Sequence, residues 1–77
     1  MTNYNTPGYG APLVPRERTV LLGMSLGMSN AEIGRELYLA VDTVKTYQRR
    51  LFRKIGARNR AHAVSIGYQR GLLQVKR

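Results

Sequence analysis

Residues 43–55 can form a helix whose two sides differ sharply. At about 100° per residue, the apolar side chains gather within about 100° of the helix surface and the basic ones occupy the opposite half. The apolar side consists of Val44, Leu51, Phe52 and Ile55, and the opposite half of Lys45, Thr46, Arg49, Arg50, Arg53 and Lys54. Most of the stability of such a helix comes from packing of its apolar side, so the rest of the chain must supply a core.

Two shorter helices are predicted ahead of this segment. Pro15 suits the first turn of a helix, and Gly27 suits the position just past its end. Ser29 and Glu32 then have the spacing of a capping box, in which each residue satisfies a backbone N–H group of the other. A second helix is therefore expected to start at this point.

The residues that mark helix ends in the rest of the chain complete an all-helical pattern. A third helix is predicted over about 41–55, ending at Gly56, and a fourth over about 60–70, with Asn59 as its N-cap. The connection at residues 38–40 has the length of the turn in a helix-turn-helix. No segment alternates apolar and polar residues, so the expected fold is an all-α, compact four-helix bundle that contains a helix-turn-helix.

The chain divides into a short arm and one domain. Residues 1–12 are rich in Gly, Pro, Asn and Thr without apolar periodicity, and they predict a disordered N-terminal arm. Residues 13–77 predict a single domain with no attached sensory domain. There is no signal-peptide pattern and no apolar run near the roughly 20 residues that span a bilayer, so we expect a cytoplasmic, nucleoid-associated protein with no membrane partner.

Several kinds of chemistry are not expected. The chain has no cysteine and a single histidine, His62, which argues against thiolate and multi-histidine metal sites. We expect no cofactor and no small-molecule ligand. No carboxylate pair, nucleophile–base set or phosphate-cradling glycine loop is present, so an enzyme is not expected.

The charge points to a polyanionic partner. The formal net charge is +9, and residues 45–77 contain ten Lys or Arg and no acidic residue. A helix about 10–12 Å across fits the major groove of B-form DNA, which is about 12 Å wide. RNA and an anionic membrane remain open, although RNA modules usually present aromatic platforms, and membrane insertion needs the apolar side that the core uses.

An ordered series of landmarks carries a family resemblance. They are Pro15-Arg16-Glu17, Val20-Leu21, Gly27, Ser29-Asn30, Glu32-Ile33, Leu37, Thr43-Val44-Lys45, Lys54 with Gly56, and Arg58-Asn59-Arg60-Ala61. In this order and without gaps, residues 13–64 resemble the LuxR-type (GerE-like) helix-turn-helix domain. The resemblance implies a transcriptional regulator that binds double-stranded DNA, inserts its third helix into the major groove, and forms a weak homodimer through its fourth.

The resemblance also implies roles for individual residues. Lys45, Thr46 and Arg49 match the positions that read base edges, and the helical wheel adds Arg53 to them. The DNA backbone contacts are assigned to Ser29, Asn30, Thr43, Tyr47, Arg50 and Lys54. The alternative function is a protein-interaction module that contacts RNA polymerase or a larger regulator, with DNA contact secondary.

The chain departs from the family pattern at positions that affect the turn and the caps. Val14 replaces the capping Thr of the first helix, and Glu17 is expected to serve the exposed N–H groups instead. Tyr38 replaces the usual Gly of the turn, which predicts a differently shaped turn, and Ala40 replaces the usual Ser cap of the third helix. Gln48 lies where an aliphatic residue is usual and needs hydrogen-bond partners if it is buried.

Overall fold

The computed structural model describes residues 8–74. Within this part of the chain lie four helices and no strand: α1 (Pro15–Ser25), α2 (Asn30–Leu37), α3 (Val41–Ile55) and α4 (Arg60–Gln69). The predicted all-α fold and the order of its helices are confirmed. The predicted bounds of α3 agree with the structure, because Gly56 ends the helix in the left-handed conformation that glycine adopts readily.

The helix α3 is central to the packing, with its most extensive contacts to α1 and α2, while α4 packs chiefly on α1. Val44, Leu51 and Ile55 are buried and Phe52 is half-buried, so the apolar side of α3 faces the core as expected. The other helices contribute mainly Val20, Leu21, Met24, Ile33, Ala63 and Ile66 to the same core. This packing leaves the opposite side of α3 facing outward.

The start of α1 is capped by a buried carboxylate. Val14 offers no side-chain cap, and its backbone N–H instead donates to Glu17 Oε1 at 2.9 Å. Glu17 is only 1% exposed, and Lys54 Nζ donates to the same oxygen at 2.7 Å. The expected role of Glu17 at this helix start is confirmed. Its ion pair also ties α1 to the last turn of α3.

Residues 8–12 lie against the end of α3. The Gly10 N–H donates to the Lys54 carbonyl oxygen at 2.8 Å, and Lys54 Nζ donates to the Pro12 carbonyl oxygen at 3.2 Å. The Tyr9 ring covers Gly56 so closely that a Cβ there would lie 2.6 Å from Tyr9 Cε1. The predicted disordered arm spans 1–12. Its first seven residues lie outside the described residues, and the structure differs from the expected disorder at 8–12 because of these contacts.

The turn between α2 and α3 keeps a glycine-like shape. Tyr38 adopts φ 57° and ψ 43°, the left-handed region, and the Leu39 N–H donates to the Gly34 carbonyl oxygen at 2.8 Å. A Cβ on Gly34 would lie 2.5 Å from the Leu39 oxygen, so this closure needs a glycine at 34. The expectation that Tyr38 changes the turn was wrong. Tyrosine accepts the conformation at a cost of about 1–2 kcal/mol.

Candidate nucleic-acid interface

The outer side of α3 presents a row of basic side chains. Lys45, Arg49, Arg50 and Arg53 are all exposed, and within the described part of the chain none of the four is in an ion pair. No described element covers this side, because the contacts of α3 use its apolar side. We call these four residues the basic face of α3. It can meet a polyanion without moving any helix.

Thr46 lies at the middle of this face and is half-buried. Its hydroxyl donates to the Asp42 carbonyl oxygen one turn earlier at 3.1 Å, and Arg49 Nη2 donates to the same hydroxyl oxygen at 3.1 Å. The threonine therefore orients the Arg49 guanidinium along the helix surface. Thr46 and Arg49, two of the three residues that the resemblance matches to base reading, are thus in direct contact.

A second group of predicted contact residues lies at the edge of the basic face and on the adjacent surface of α3. The Arg50 guanidinium carbon is 5.9 Å from the centre of the Tyr47 ring, a cation–π contact that is worth about 0.5–1 kcal/mol at exposed sites. Thr43 and Tyr47 line the same shallow depression as Arg50, together with Asp42. The structure therefore brings together three of the residues that were predicted to contact the DNA backbone: Thr43, Tyr47 and Arg50.

At the start of α2, the side chains of Ser29 and Glu32 cap the helix. The Glu32 N–H donates to Ser29 Oγ at 3.1 Å and the Ser29 N–H donates to Glu32 Oε1 at 2.8 Å, which is the predicted capping box. The hydrogen bond from the Ser29 backbone N–H, and after it one from the Ser29 side chain, lowers the pKa of the Glu32 carboxyl from its usual 4.5. The first-turn N–H groups of Asn30 and Ala31 remain as donors for an anion at this helix end.

The side-chain oxygen of Asn30 also serves the fold. Its Oδ1 accepts from Gln48 Nε2 at 2.5 Å and from Arg60 Nη1 at 3.4 Å. Arg60 also donates to the Met28 carbonyl oxygen, so this cluster joins the starts of α2 and α4 to the middle of α3. Gln48 thus has the partner that its position requires. The Ser29 N–H is used by the capping box, so the donors of this pair that are left for a ligand are the N–H and the Nδ2 amide of Asn30.

Lys54 is placed apart from the other predicted contacts. Its side chain is 18% exposed, and its ammonium group donates to Glu17 Oε1 and to the Pro12 carbonyl oxygen. The prediction of a DNA backbone contact at Lys54 conflicts with this geometry, because the charge is already paired inside the fold. We therefore leave Lys54 out of the interface proposed below.

Two residues near the turn were not singled out as contacts. The guanidinium of Arg16 on α1 donates to the Leu37 carbonyl oxygen at 3.5 Å, which places it beside the helix-turn-helix turn. Tyr38 follows directly and is 95% exposed. The sequence contains no local signal for this proximity, because it arises from the packing of α1 against the end of α2.

Other kinds of site are not found in the part of the chain that the structure describes. Residues 8–74 contain no group of three or more His, Cys, Asp or Glu side chains arranged to hold a metal ion. None of the described helices is both long and apolar enough to cross a membrane.

Known proteins share this domain. Residues 11–66 match the family model described as bacterial regulatory proteins, luxR family. The chain is 46% identical over 55 residues to the CsgBAC operon transcriptional regulatory protein of Escherichia coli (strain K12), covering 71% of this chain and 26% of that protein. It is 43% identical over 67 residues to the probable transcriptional regulatory protein NarL of Mycobacterium tuberculosis (strain H37Rv), covering 82% of this chain and 31% of that protein.

A solved structure agrees with these matches. The crystal structure of the response regulator ChrA of a heme-sensing two-component system superposes with a TM-score of 0.78 at 31% identity, covering 80% of this chain and 31% of that one. The chain therefore spans less than a third of the length of these relatives. The chain belongs to the luxR family of bacterial regulatory proteins.

Proposed function

We propose that this chain binds double-stranded DNA in a sequence-specific manner and regulates transcription, with α3 in the major groove. The observation that carries the proposal is the division of α3, whose apolar side is buried in the core while its basic face is open. The luxR-family match supports the same reading, because the relatives named above are transcriptional regulators or a response regulator. Catalysis has no place in this proposal.

The basic face divides into base-reading and backbone contacts. Lys45, Arg49 and Arg53 carry donors suited to guanine N7 and O6, and Thr46 holds Arg49 in place beside them. Arg50, Thr43 and Tyr47 are assigned to phosphates, together with the backbone N–H groups at the start of α2. This assignment keeps the predicted base-reading residues. At the start of α2 it keeps Asn30 as a phosphate contact and leaves out Ser29, whose N–H donates to Glu32.

A weak homodimer through α4 is part of the proposal. Ala63, Ile66 and Gly67 are buried, and a Cβ on Gly67 would lie 2.7 Å from Leu73 Cδ1, so these residues serve packing within the chain. The exposed side of α4 carries Ala61, Ser65 and Tyr68 at helical spacing, and this side is our proposed contact between two protomers. A two-fold repeat in the DNA is expected in that case.

A second candidate function is suggested by an apolar groove between α1 and α2. Leu22 on α1 and Leu26, the residue just after α1, are exposed and line this groove together with Met28 and Leu37. Such a groove supports the alternative of a module that contacts RNA polymerase or a larger regulator. Recovery of polymerase after nuclease treatment, without any affinity of the isolated chain for DNA, would favour it.

The proposal is tested by selecting bound duplexes from a randomised pool and measuring their affinity by fluorescence anisotropy at several salt concentrations. We expect an enriched motif of two related half-sites. We also expect a steep salt dependence, because each neutralised phosphate contributes about −0.9 to the slope of log K against log salt. A pool without enrichment and a flat salt response would reject DNA binding. Localisation at the nucleoid in the cytoplasm is a further expectation of the same proposal.

A further inference from the structure

Tyr38 combines backbone strain with nearly complete exposure. Within residues 8–74 it is the only residue other than glycine with a positive φ, and its side chain is 95% exposed. No hydrogen bond or ring contact of this side chain occurs in the described part of the chain. Glycine adopts this conformation without penalty, whereas a side chain with a Cβ does not.

The fold uses the backbone of Tyr38 and not its side chain. The turn is closed by the Tyr38 N–H donating to the Arg35 carbonyl oxygen at 3.4 Å and by the Leu39 N–H donating to the Gly34 carbonyl oxygen at 2.8 Å. A glycine at 38 would make both hydrogen bonds with less strain. Residues held in a strained conformation that the fold does not need are concentrated at functional sites. We therefore expect the phenol side chain to act outside the fold.

The position of the turn indicates what that role is. Tyr38 lies three residues before Val41, the first residue of α3. A chain that leads into a helix lying in the major groove has to pass one of the two sugar-phosphate walls of that groove. The residues just before α3 are therefore the ones that come next to a phosphate, and Arg16 places a guanidinium beside Leu37 in the same region.

We propose that Tyr38 and Arg16 together bind one phosphate of the DNA backbone at the edge of the groove that receives α3. The phenol O–H donates to a phosphate oxygen, and the Arg16 guanidinium supplies the positive charge. The inference depends on the proposed DNA-binding function. It adds a contact from α1 and the turn to those made by α3 and the start of α2.

The test compares Tyr38→Gly, Tyr38→Phe and the wild-type chain, measuring Tm by circular dichroism and Kd for one duplex by fluorescence anisotropy. Relief of the strain in Tyr38→Gly should raise Tm by about 4–8 °C. The same variant should bind DNA about tenfold more weakly, because a hydrogen bond to a charged group is lost. Tyr38→Phe should keep the wild-type Tm and show the same loss of affinity.

Two further measurements identify the contact as one to a phosphate. The loss in both Tyr38 variants should be equal for specific and unrelated duplexes, because phosphates carry no sequence information. Arg16→Gln should reduce the slope of log K against log salt by about 0.9, whereas neither Tyr38 variant should change it.

Arg49→Ala, measured beside them, separates the inference from the proposed function. If both Tyr38 variants bind DNA as tightly as the wild type while Arg49→Ala binds more weakly, the phosphate contact is wrong and the DNA-binding function stands. A wild-type chain without any affinity for DNA overturns both.

Discussion

Arg50 and Lys54 lie one helical turn apart on α3, yet the structure gives their charges different surroundings. Arg50 is exposed, contacts the Tyr47 ring, and belongs to the basic face. Lys54 is mostly buried and bound to Glu17, so its charge holds α1 against α3. The basic residues of one helix therefore divide into those free to bind a polyanion and those that stabilise the fold. The surrounding helices decide which is which.

Replacing each residue by methionine should change the free energy of unfolding by very different amounts. Lys54→Met leaves the Glu17 carboxylate buried without its ammonium partner, so the free energy of unfolding should fall by about 3 kcal/mol. Arg50→Met should change it by no more than about 0.5 kcal/mol, since exposed positions tolerate substitution. Urea unfolding followed by circular dichroism measures both values.

The buried pair allows a stricter form of this experiment. The double variant Glu17→Gln, Lys54→Met removes both charges, and it should be more stable than Lys54→Met alone because no unpaired carboxylate remains. A Lys54→Met chain that is as stable as the wild type but binds DNA more weakly would show that Lys54 belongs with Arg50 at the DNA backbone after all.

A second prediction compares two exposed arginines that differ only in location. Arg49→Ala should weaken binding to the preferred duplex by about 1–3 kcal/mol and relax the preference at one base pair, with stability unchanged. Arg18→Ala removes the same charge from α1, beside Leu72 and away from the basic face, and should have little effect. Fluorescence anisotropy with single-base variants of the duplex measures both. Equal losses in the two variants would mean that net charge, and not the basic face, drives binding.

The smallest expected effect concerns an acidic residue that, like Lys54, serves the fold. Hydrogen bonds from Ser29 lower the pKa of Glu32 in the folded chain below its usual 4.5. The ionised carboxylate therefore stabilises the fold above that value, and this contribution is lost as the pH falls through the lowered pKa. In Tm measurements across acidic pH, Glu32→Gln should weaken the dependence of Tm on pH. Glu36→Gln is the control, because it removes the same charge from α2 without touching the cap. Identical pH profiles for the two variants would contradict the assignment.

The local signals in the sequence predicted the helices well. Pro15, Ser29, Gly56 and Asn59 mark helix ends through hydrogen bonds and dihedral angles that involve only a few neighbouring residues, and the structure places helix ends at these residues. The basic face was predictable for the same reason, because the side on which a residue lies depends only on its position within α3.

What the sequence did not predict depends on contacts between distant residues. Lys54 falls at the border of the basic half on the helical wheel, and nothing near it in the chain reveals that Glu17, 37 positions away, pairs with it. The contacts of residues 8–12 with the end of α3 are equally long-range. The prediction of a changed turn at Tyr38 was wrong for another reason. The left-handed conformation costs a tyrosine some free energy, but the hydrogen-bonded closure of the turn at Gly34 outweighs that cost.

The most direct test of the account is to follow backbone amide signals by NMR while a selected duplex is added to the chain. We expect the largest shifts along residues 43–53 and at the first turn of α2, while the amides that line the groove between α1 and α2 around Leu22 and Leu26 stay unchanged. Shifts confined to that groove, with the amides of α3 unaffected, would contradict the claim that the open side of α3 is the surface that meets DNA.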